Sequence, residues 1–461
     1  MDLDGTLLRT DLLYESVLLL LRRNLLYIFL LPVWLLHGKA RLKREIARRV
    51  RVEVDTLPYD PRVVKFLRDT RYRPRVLCTA SDELVARPIA EHLGLFEETL
   101  ASDGRVNLGG AAKARVLVER FGEKGFDYTG NSRVDMHIWR HARHARVVNA
   151  PASLAMRASS VATLEEHWPA PAAGIPAWLK ALRFHQWLKN LLVFLPLLAA
   201  HAFTDVATVS RSVLAFLAFG LCASGVYVVN DLLDLQNDRQ HPRKRHRPFA
   251  SGHLPILHGM LVAPVLTIAG FALAWLAAPA FAGVLAIYWV ATFGYSLWFK
   301  RVEMLDVCVL AGLYTIRIIG GAVAVSVPLS FWLLAFSMFL FLSLAVLKRY
   351  TELAGMEGQG QASGRGYAAA DLPLLQSLGA ASGYIAVLVL ALYINSPESV
   401  ELYSRPRVLW LLCPLLLYWV SRAWSVAHRR KMHDDPVVFA VTDPVSQVVV
   451  GLCGLVVLGA I

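Results

Sequence analysis

Charge is what this chain has least of. Only 18% of its 461 residues are Asp, Glu, Lys or Arg, against 56% hydrophobic ones, and the mean hydropathy is +0.46. A water-soluble protein of this length rarely carries so much apolar side chain, so a wholly soluble enzyme is excluded and membrane spans are expected. Cysteine is scarce too. Cys78, Cys222, Cys308, Cys413 and Cys453 form no CxxC pair, which leaves no zinc site and no disulfide framework; apolar packing accounts for each thiol. A signal peptide is not expected either. The apolar stretch 17–36 is interrupted by Arg22, Arg23, Asn24 and Pro32, and it follows Asp11 and Glu15 instead of a basic run.

The charge that is present is unevenly spread. Residues 1 to about 170 hold most of it, and from 178 onward long apolar runs alternate with short polar loops. This divides the chain into a soluble domain over 1–150, an Ala- and Pro-containing linker over 151–177, and a membrane domain over 178–461. Apolar runs near 188–203, 211–235, 254–278, 281–299, 306–326, 329–350, 374–395, 407–424 and 444–461 predict nine spans. Loops as short as Ala278-Pro279-Ala280 make neighbouring helices antiparallel, hence an all-α bundle.

The formal net charge of +13 would suggest nucleic acid in a soluble protein. Here its distribution gives a different reading, and no nucleic-acid partner is expected. Arg239, Arg243, Lys244, Arg245, Arg247, Lys300, Arg301, Lys348, Arg349, Arg365, Arg422, Arg429, Arg430 and Lys431 fall in alternate loops. The opposite loops carry only Arg211, Arg405 and Arg407. The positive-inside rule makes the first set cytoplasmic, together with the N-terminal domain, and puts the C-terminus outside. A bacterial inner membrane suits this pattern. The oligomeric state is left open, a homo-oligomer among the options.

The second run ends in Asn230-Asp231-Leu-Leu-Asp234-Leu-Gln-Asn-Asp238. On a helix, positions 231, 234 and 238 share one face, and three like charges at a membrane edge repel one another. A divalent cation removes that cost, and magnesium typically bridges a few carboxylates and substrate phosphates. A basic arm follows at once: Arg243-Lys244-Arg245-His246-Arg247-Pro248, then Phe249-Ala250-Ser251-Gly252. Guanidinium and ammonium groups in that position suit phosphate oxygens. The bland alternative is a solvated acidic cap followed by topogenic positive charge.

The NDxxDxxxD spacing followed by RPxASG resembles the UbiA superfamily of membrane prenyltransferases over about 178–461. The resemblance implies that the first Asp motif holds a magnesium-bound diphosphate, with Asp231 and Asp234 central to catalysis, Asp238 a further ligand and Asn230 toward substrate. A second motif, Tyr295-Ser-Leu-Trp-Phe-Lys300-Arg301-Val-Glu303-Met-Leu-Asp306, keeps only Glu303 and Asp306 where prenyl-diphosphate users have a dense DxxxD. Its YSxxxK form resembles the decaprenyl-phosphate phosphoribosyltransferases. So do Arg317 within the fifth run, Lys348-Arg349-Tyr350-Thr351-Glu352, Asp434-Asp435-Pro436 and Thr442-Asp443-Pro444. The implied reaction is transfer of 5-phosphoribose from phosphoribosyl diphosphate to a polyprenyl phosphate. The implied metal ligand of the second motif is Asp306. Lys244, Arg247, Tyr295, Lys300, Arg317 and Lys348 are candidates for substrate phosphates. Arg317 has a physical argument of its own, because a guanidinium deep in a membrane helix needs a partner, from ligand or protein.

The soluble part carries a second phosphate chemistry. Asp2-Leu3-Asp4-Gly5-Thr6, a strand at 76–81 ending in hydroxyls, Lys113 after a Gly-rich turn and Gly130-Asn131-Ser132-Arg133-Val134-Asp135 fall in the order of the haloacid dehalogenase-type phosphatases, which they resemble. That likeness implies a Rossmann-like α/β domain with residues 12–70 as a helical cap. Asp2 would be the nucleophile and Asp4 the general acid and base. Thr79 would bind the phosphoryl group and Lys113 neutralise charge. Magnesium would lie on Asp2, Asp4, Asn131 and Asp135, with Asn131 a neutral replacement for the usual acid. The first motif is expected at the end of a buried central strand, and only Met1 precedes Asp2. A late recorded start or a frayed site would both account for this, and a vestigial or regulatory domain is the alternative to a working one. The stretch 17–36 is expected to pack on the core, with the membrane surface as the alternative. Next to the transferase, such a phosphatase would remove the 5-phosphate that the transferred sugar still carries. The rival readings are a prenyltransferase using a polyprenyl diphosphate, and a transporter or scaffold, against which the absence of internal repeats argues.

Overall fold

The strand expected at 76–81 forms β1 (Val76–Asp82), paired in parallel with β2 (Glu98–Ser102), so that Val76 faces Glu98 and Cys78 faces Leu100. A second parallel sheet holds β3 (Tyr128–Gly130), β4 (His144–Val148) and β5 (Thr163–Trp168) in that order. The first residues of the chain lie between the two sheets. The Cys78 N–H donates to the Met1 carbonyl at 2.8 Å, and the Asp2 N–H donates to the Thr129 carbonyl at 3.0 Å. Met1–Leu3 therefore runs as backbone between the two sheets, and Leu3 is fully buried. The computed structural model describes residues 1–70, 73–171, 174–355, 366–432 and 435–461. Arg365 and Asp434 lie outside the described residues.

The chain divides into two compact units: Met1–Arg183 with Tyr227–Pro264, and Phe184–Val226 with Val265–Ile461. In the first unit, helices α1 (Leu12–Arg23), α2 (Leu30–Leu36) and α3 (Lys39–Ala47) lie within residues 12–70. Asp11 caps α1 by accepting from the N–H groups of Leu13 and Tyr14, while Arg22 and Arg23 oppose the dipole at its other end. The expected burial of 17–36 holds only for α1, through Val17, Leu18 and Leu20. Leu25, Leu26, Ile28, Phe29, Leu35 and Leu36 are exposed.

Residues 227–264 of this unit contain the end of one long apolar helix and the start of the next, and α1 is fastened to them. Leu18 packs with Val228, Leu232, Phe249 and Ile256. Glu15 accepts from Arg239 Nη1 at 2.5 Å and Nη2 at 3.1 Å, with both side chains buried. Thr10 and the Ala250 carbonyl satisfy the remaining groups of that pair. Gly252 sits at φ +73°, and a Cβ there would lie 2.6 Å from the Arg9 carbonyl oxygen. Only glycine fits both demands.

The second unit is helical, and Pro279–Leu297, Leu305–Ala324, Phe331–Ala354 and Leu372–Ile394 each pack on the next in sequence, as short loops require. Seven described helices of the chain are long and apolar enough to cross a membrane, among them Val206–Leu233, Ile256–Ala277 and Leu305–Ala324; the count is eight if Pro436–Thr442 and Pro444–Ala460, bent by 76°, form one broken span. Nine runs were expected. The difference lies at 188–203, which folds as 3-10 turns over Phe184–Phe194 and a short helix Leu195–Ala199. Buried Lys189 and Asn190 and the helix-starting Pro196 break that run.

Candidate active site

The helix carrying Asp231 does not continue through Asp238. It ends at Leu233, Asp234 leaves helical geometry with φ −102° and ψ 14°, and a short helix Leu235–Gln240 resumes. The three carboxylates therefore do not line one face, as the sequence spacing implied. Asp231 and Asp238 are both buried and converge on one nitrogen of Arg247: Nη1 donates to Asp231 Oδ1 at 3.0 Å and to Asp238 Oδ2 at 2.7 Å. Arg183 adds a second guanidinium on Asp231 Oδ1 at 2.5 Å, with its plane over the Tyr227 ring. Asp234 is half-buried and faces Arg22 of α1 at 3.5 Å. Burial pushes the Asp238 carboxyl above its usual range, against the pull of Arg247. Two buried carboxylates meeting on a single cationic nitrogen form an all-oxygen donor pair suited to a hard divalent ion. The residues present thus fit magnesium. Lys244 is exposed on the following turn, and Asn230 is half-buried beside Asp231.

The same unit holds the other cluster. Asp2, Asp4, Ser81, Lys113, Asn131 and Asp135 line a cavity of about 540 Å³. Lys113 Nζ donates to Asp2 Oδ1 at 2.7 Å and to the Tyr128 hydroxyl at 3.0 Å. Burial alone would lower the Lys113 ammonium, but the charges of Asp2 and Asp135 outweigh it and hold it above its usual value. Asp4 accepts from the Leu12 N–H at 2.8 Å and from Ser81 Oγ at 2.7 Å. Its carboxyl is pushed up to about 7, first by burial and then by the charge of Asp11. Asp135 accepts from the N–H groups of Asn131 and Ser132 and from Ser132 Oγ, all on Oδ2. The Asn131 amide lies over Gly5, where φ is +71° and a Cβ would meet it at 1.9 Å. Thr79 is fully buried, its Oγ1 accepting from the Ser81 N–H. Of these two strand hydroxyls, Ser81 lines the cavity and Thr79 does not.

Asp306, the metal ligand expected of the second motif, lies among protein donors. It is fully buried, paired with Arg349 and accepting from the Tyr367 hydroxyl at 2.6 Å, so both oxygens are engaged by protein donors. Arg349 also donates to the Tyr295 hydroxyl at 2.6 Å and to Glu352 at 2.5 Å. Arg317 donates to Asn190 Oδ1 at 2.9 Å, to the Tyr288 hydroxyl at 3.0 Å and to the Leu313 carbonyl, and no carboxylate among the described residues pairs with it. Lys348 lies 3.8 Å from Asp435, which accepts from Lys189 at 2.6 Å. Lys300 is half-buried at the end of its helix. Sequence reasoning missed Arg183, Glu15, Lys189 and Ser81. For Lys189 there was a signal, a lone cation inside an apolar run; for Arg183 and Glu15 there was none.

Residues 191–442 match the model of the UbiA prenyltransferase family. The chain belongs to the UbiA prenyltransferase family. It is a multi-pass membrane transferase of the UbiA fold with a small N-terminal α/β region. Among similar proteins, the uncharacterized protein y4nM of Sinorhizobium fredii is 36% identical over 96% of this chain and 87% of its own length. That match therefore includes the α/β region. The decaprenyl-phosphate phosphoribosyltransferase of Mycobacterium tuberculosis is 39% identical over 42% of this chain and 65% of its own length. A UbiA homolog from Archaeoglobus fulgidus bound to GPP and Mg²⁺ superimposes with a TM-score of 0.48 at 15% identity, covering 61% of this chain and 99% of that one.

Proposed function

We propose that the chain transfers 5-phosphoribose from phosphoribosyl diphosphate to a polyprenyl phosphate, in a magnesium-dependent reaction at the cytoplasmic membrane face. The convergence of Asp231 and Asp238 on Arg247 carries the reading. An anionic site rimmed by Arg183, Arg247 and Lys244 suits a diphosphate. Partial similarity to the decaprenyl-phosphate phosphoribosyltransferase supports ribose over a prenyl group. In the reaction the bond from sugar C1 to the diphosphate oxygen breaks, with the electron pair leaving on diphosphate. An oxygen of the polyprenyl phosphate then bonds to C1. Arg247 and Arg183 would orient the leaving group and balance its charge. Magnesium on Asp231 and Asp238, with Asp234 nearby, would supply further charge neutralisation to the leaving group.

The N-terminal cavity supports a second step, hydrolysis of the 5-phosphate. Asp2 would attack phosphorus as the ester oxygen leaves with a proton from Asp4, and water deprotonated by Asp4 would then release phosphate from Asp2. Lys113 holds Asp2 in place and offsets charge on the phosphoryl oxygens. The cavity wall favours a membrane-borne substrate. Gly252, Pro255, Ile256, Leu257 and His258 line it, and Ile256 begins an apolar helix of spanning length.

The test incubates detergent-purified protein with radiolabelled phosphoribosyl diphosphate, a polyprenyl phosphate and magnesium. Label should enter lipid, fail to do so with Asp231→Asn, and leave phosphate behind unless Asp2→Asn is present. Turnover of a polyprenyl diphosphate in place of the ribosyl donor would keep the family and overturn the donor.

A further inference from the structure

The segment Leu25–Leu36 reads Leu-Leu-Tyr-Ile-Phe-Leu-Leu-Pro-Val-Trp-Leu-Leu, with no charged side chain, and none of it is buried. Phe29 is 73% exposed and Leu36 87%. A solvated surface does not sustain so continuous an apolar patch, which marks a binding or membrane face. The segment is too short to cross a bilayer, which takes about 20 residues.

Its place in the first unit identifies the occupant. Tyr27, Leu31 and Trp34 form the base of the segment and pack with Val17, Leu20, Leu42 and Ile46 of α1 and α3. The other side of α1 is fixed to the ends of two apolar spans, by Leu18 against Val228, Leu232 and Ile256 and by the buried Glu15–Arg239 pair. Helix α1 thus lies between span ends and the exposed segment, which holds the segment at the level where those helices enter lipid. Charge agrees with this. Arg23 before the segment and Lys39, Arg41 and Arg48 after it are exposed, a cationic rim suited to anionic headgroups. The half-buried Trp34 and Tyr27 rings, 6.1 Å apart, are the side chains expected at the water–lipid boundary.

We propose that Leu25–Leu36 is an interfacial insertion element that buries its apolar face in the lipid leaflet beside the spans and seats the N-terminal domain on the membrane. The inference is independent of either reaction proposed above. It is tested with the full chain in nanodiscs of phosphatidylcholine and phosphatidylglycerol, doped with a phospholipid carrying a photoactivatable acyl chain. Cross-linked peptides are then mapped by mass spectrometry. Acyl-chain adducts should appear within 25–36 as well as within Ile256–Ala277. Leu26→Glu, Phe29→Glu and Leu36→Glu together should abolish the former and keep the latter, with hydrogen-exchange protection of β1 unchanged. Adducts confined to the spans, or cross-links joining 25–36 to a second copy of the chain, would overturn the proposal.

Discussion

Arg247 bridges Asp231 and Asp238, giving one guanidinium nitrogen to a carboxylate on each side of a broken helix. The two acids are seven positions apart, and regular helix is interrupted between them at Asp234. Without a cation between them, two buried carboxylates so placed would each raise the cost of ionising the other. Arg247 fills that role in the protein alone and would share it with magnesium and diphosphate in a working complex.

Substitution should separate these contributions. Asp231→Asn and Asp238→Asn are each expected to lower transfer by at least about 100-fold and to raise the magnesium concentration needed for half-maximal rate. Arg247→Lys keeps a charge but loses the geometry that reaches both acids, so it should weaken donor binding more than it changes the magnesium requirement. Unaltered magnesium titrations in both Asp variants would remove these residues from the metal site.

The Glu15–Arg239 pair predicts a structural dependence of the acidic site on the N-terminal domain. Leaving either charge buried alone costs about 3–5 kcal/mol. Glu15→Ala should therefore loosen 235–250 in hydrogen exchange, although Glu15 touches no proposed substrate group. Glu15→Met combined with Arg239→Met should restore much of the lost protection, because no unpaired charge remains. Equal exchange in all three proteins would show that the pair carries no weight.

The α/β character of the N-terminal region and most of the spans were legible because each rests on local periodicity, and the 231–238 acids stood out because they cluster in sequence. What could not be read depended on partners far apart in sequence. Asp306 fits a metal-ligand pattern, yet Arg349 on another helix and Tyr367 take both its oxygens. Thr79 and Ser81 both lie within β1, where pairing with β2 is irregular between Cys78 and Asp82, so strand alternation could not tell which of the two reaches the cavity. The stretch 17–36 is apolar on both sides of Arg22-Arg23-Asn24, so hydropathy alone could not tell that the part before the break is buried in α1 and that Leu25–Leu36 after it is exposed.

Asp4 gives the proposed phosphatase step a pH signature. Its carboxyl is raised to about 7, so it keeps its proton below that pH and loses it above. The form able to protonate a leaving alkoxide then declines as pH rises. Phosphate release from an alkyl phosphate such as ribose 5-phosphate should fall above about pH 7. With p-nitrophenyl phosphate, whose leaving group needs little protonation, the fall should be much shallower. Matching profiles for the two substrates would exclude Asp4 as the acid.

Asp60 makes stability itself depend on pH. It is fully buried, caps the helix Pro61–Asp69, and accepts from Arg62 Nη2 at 2.7 Å and from Arg9 Nε at 3.2 Å. Burial alone would raise its carboxyl, but the hydrogen bonds and charges of Arg62 and Arg9 prevail and hold it well below the usual carboxylate range. A carboxyl whose pKa is lower folded than unfolded stabilises the fold above its unfolded pKa of about 3.9, and that contribution drains away as the pH falls toward the folded value. Asp60→Asn keeps the shape and most of the capping but removes the charge, so it should cost about 1–3 kcal/mol near neutral pH. The measurement is hydrogen exchange of the 61–69 amides in the full chain, corrected for intrinsic pH dependence. The gap between wild type and Asp60→Asn should be widest near pH 7 and narrow steadily below about pH 4. A gap that stays constant across that range would mean the side chain acts through shape and hydrogen bonding alone, not through its charge.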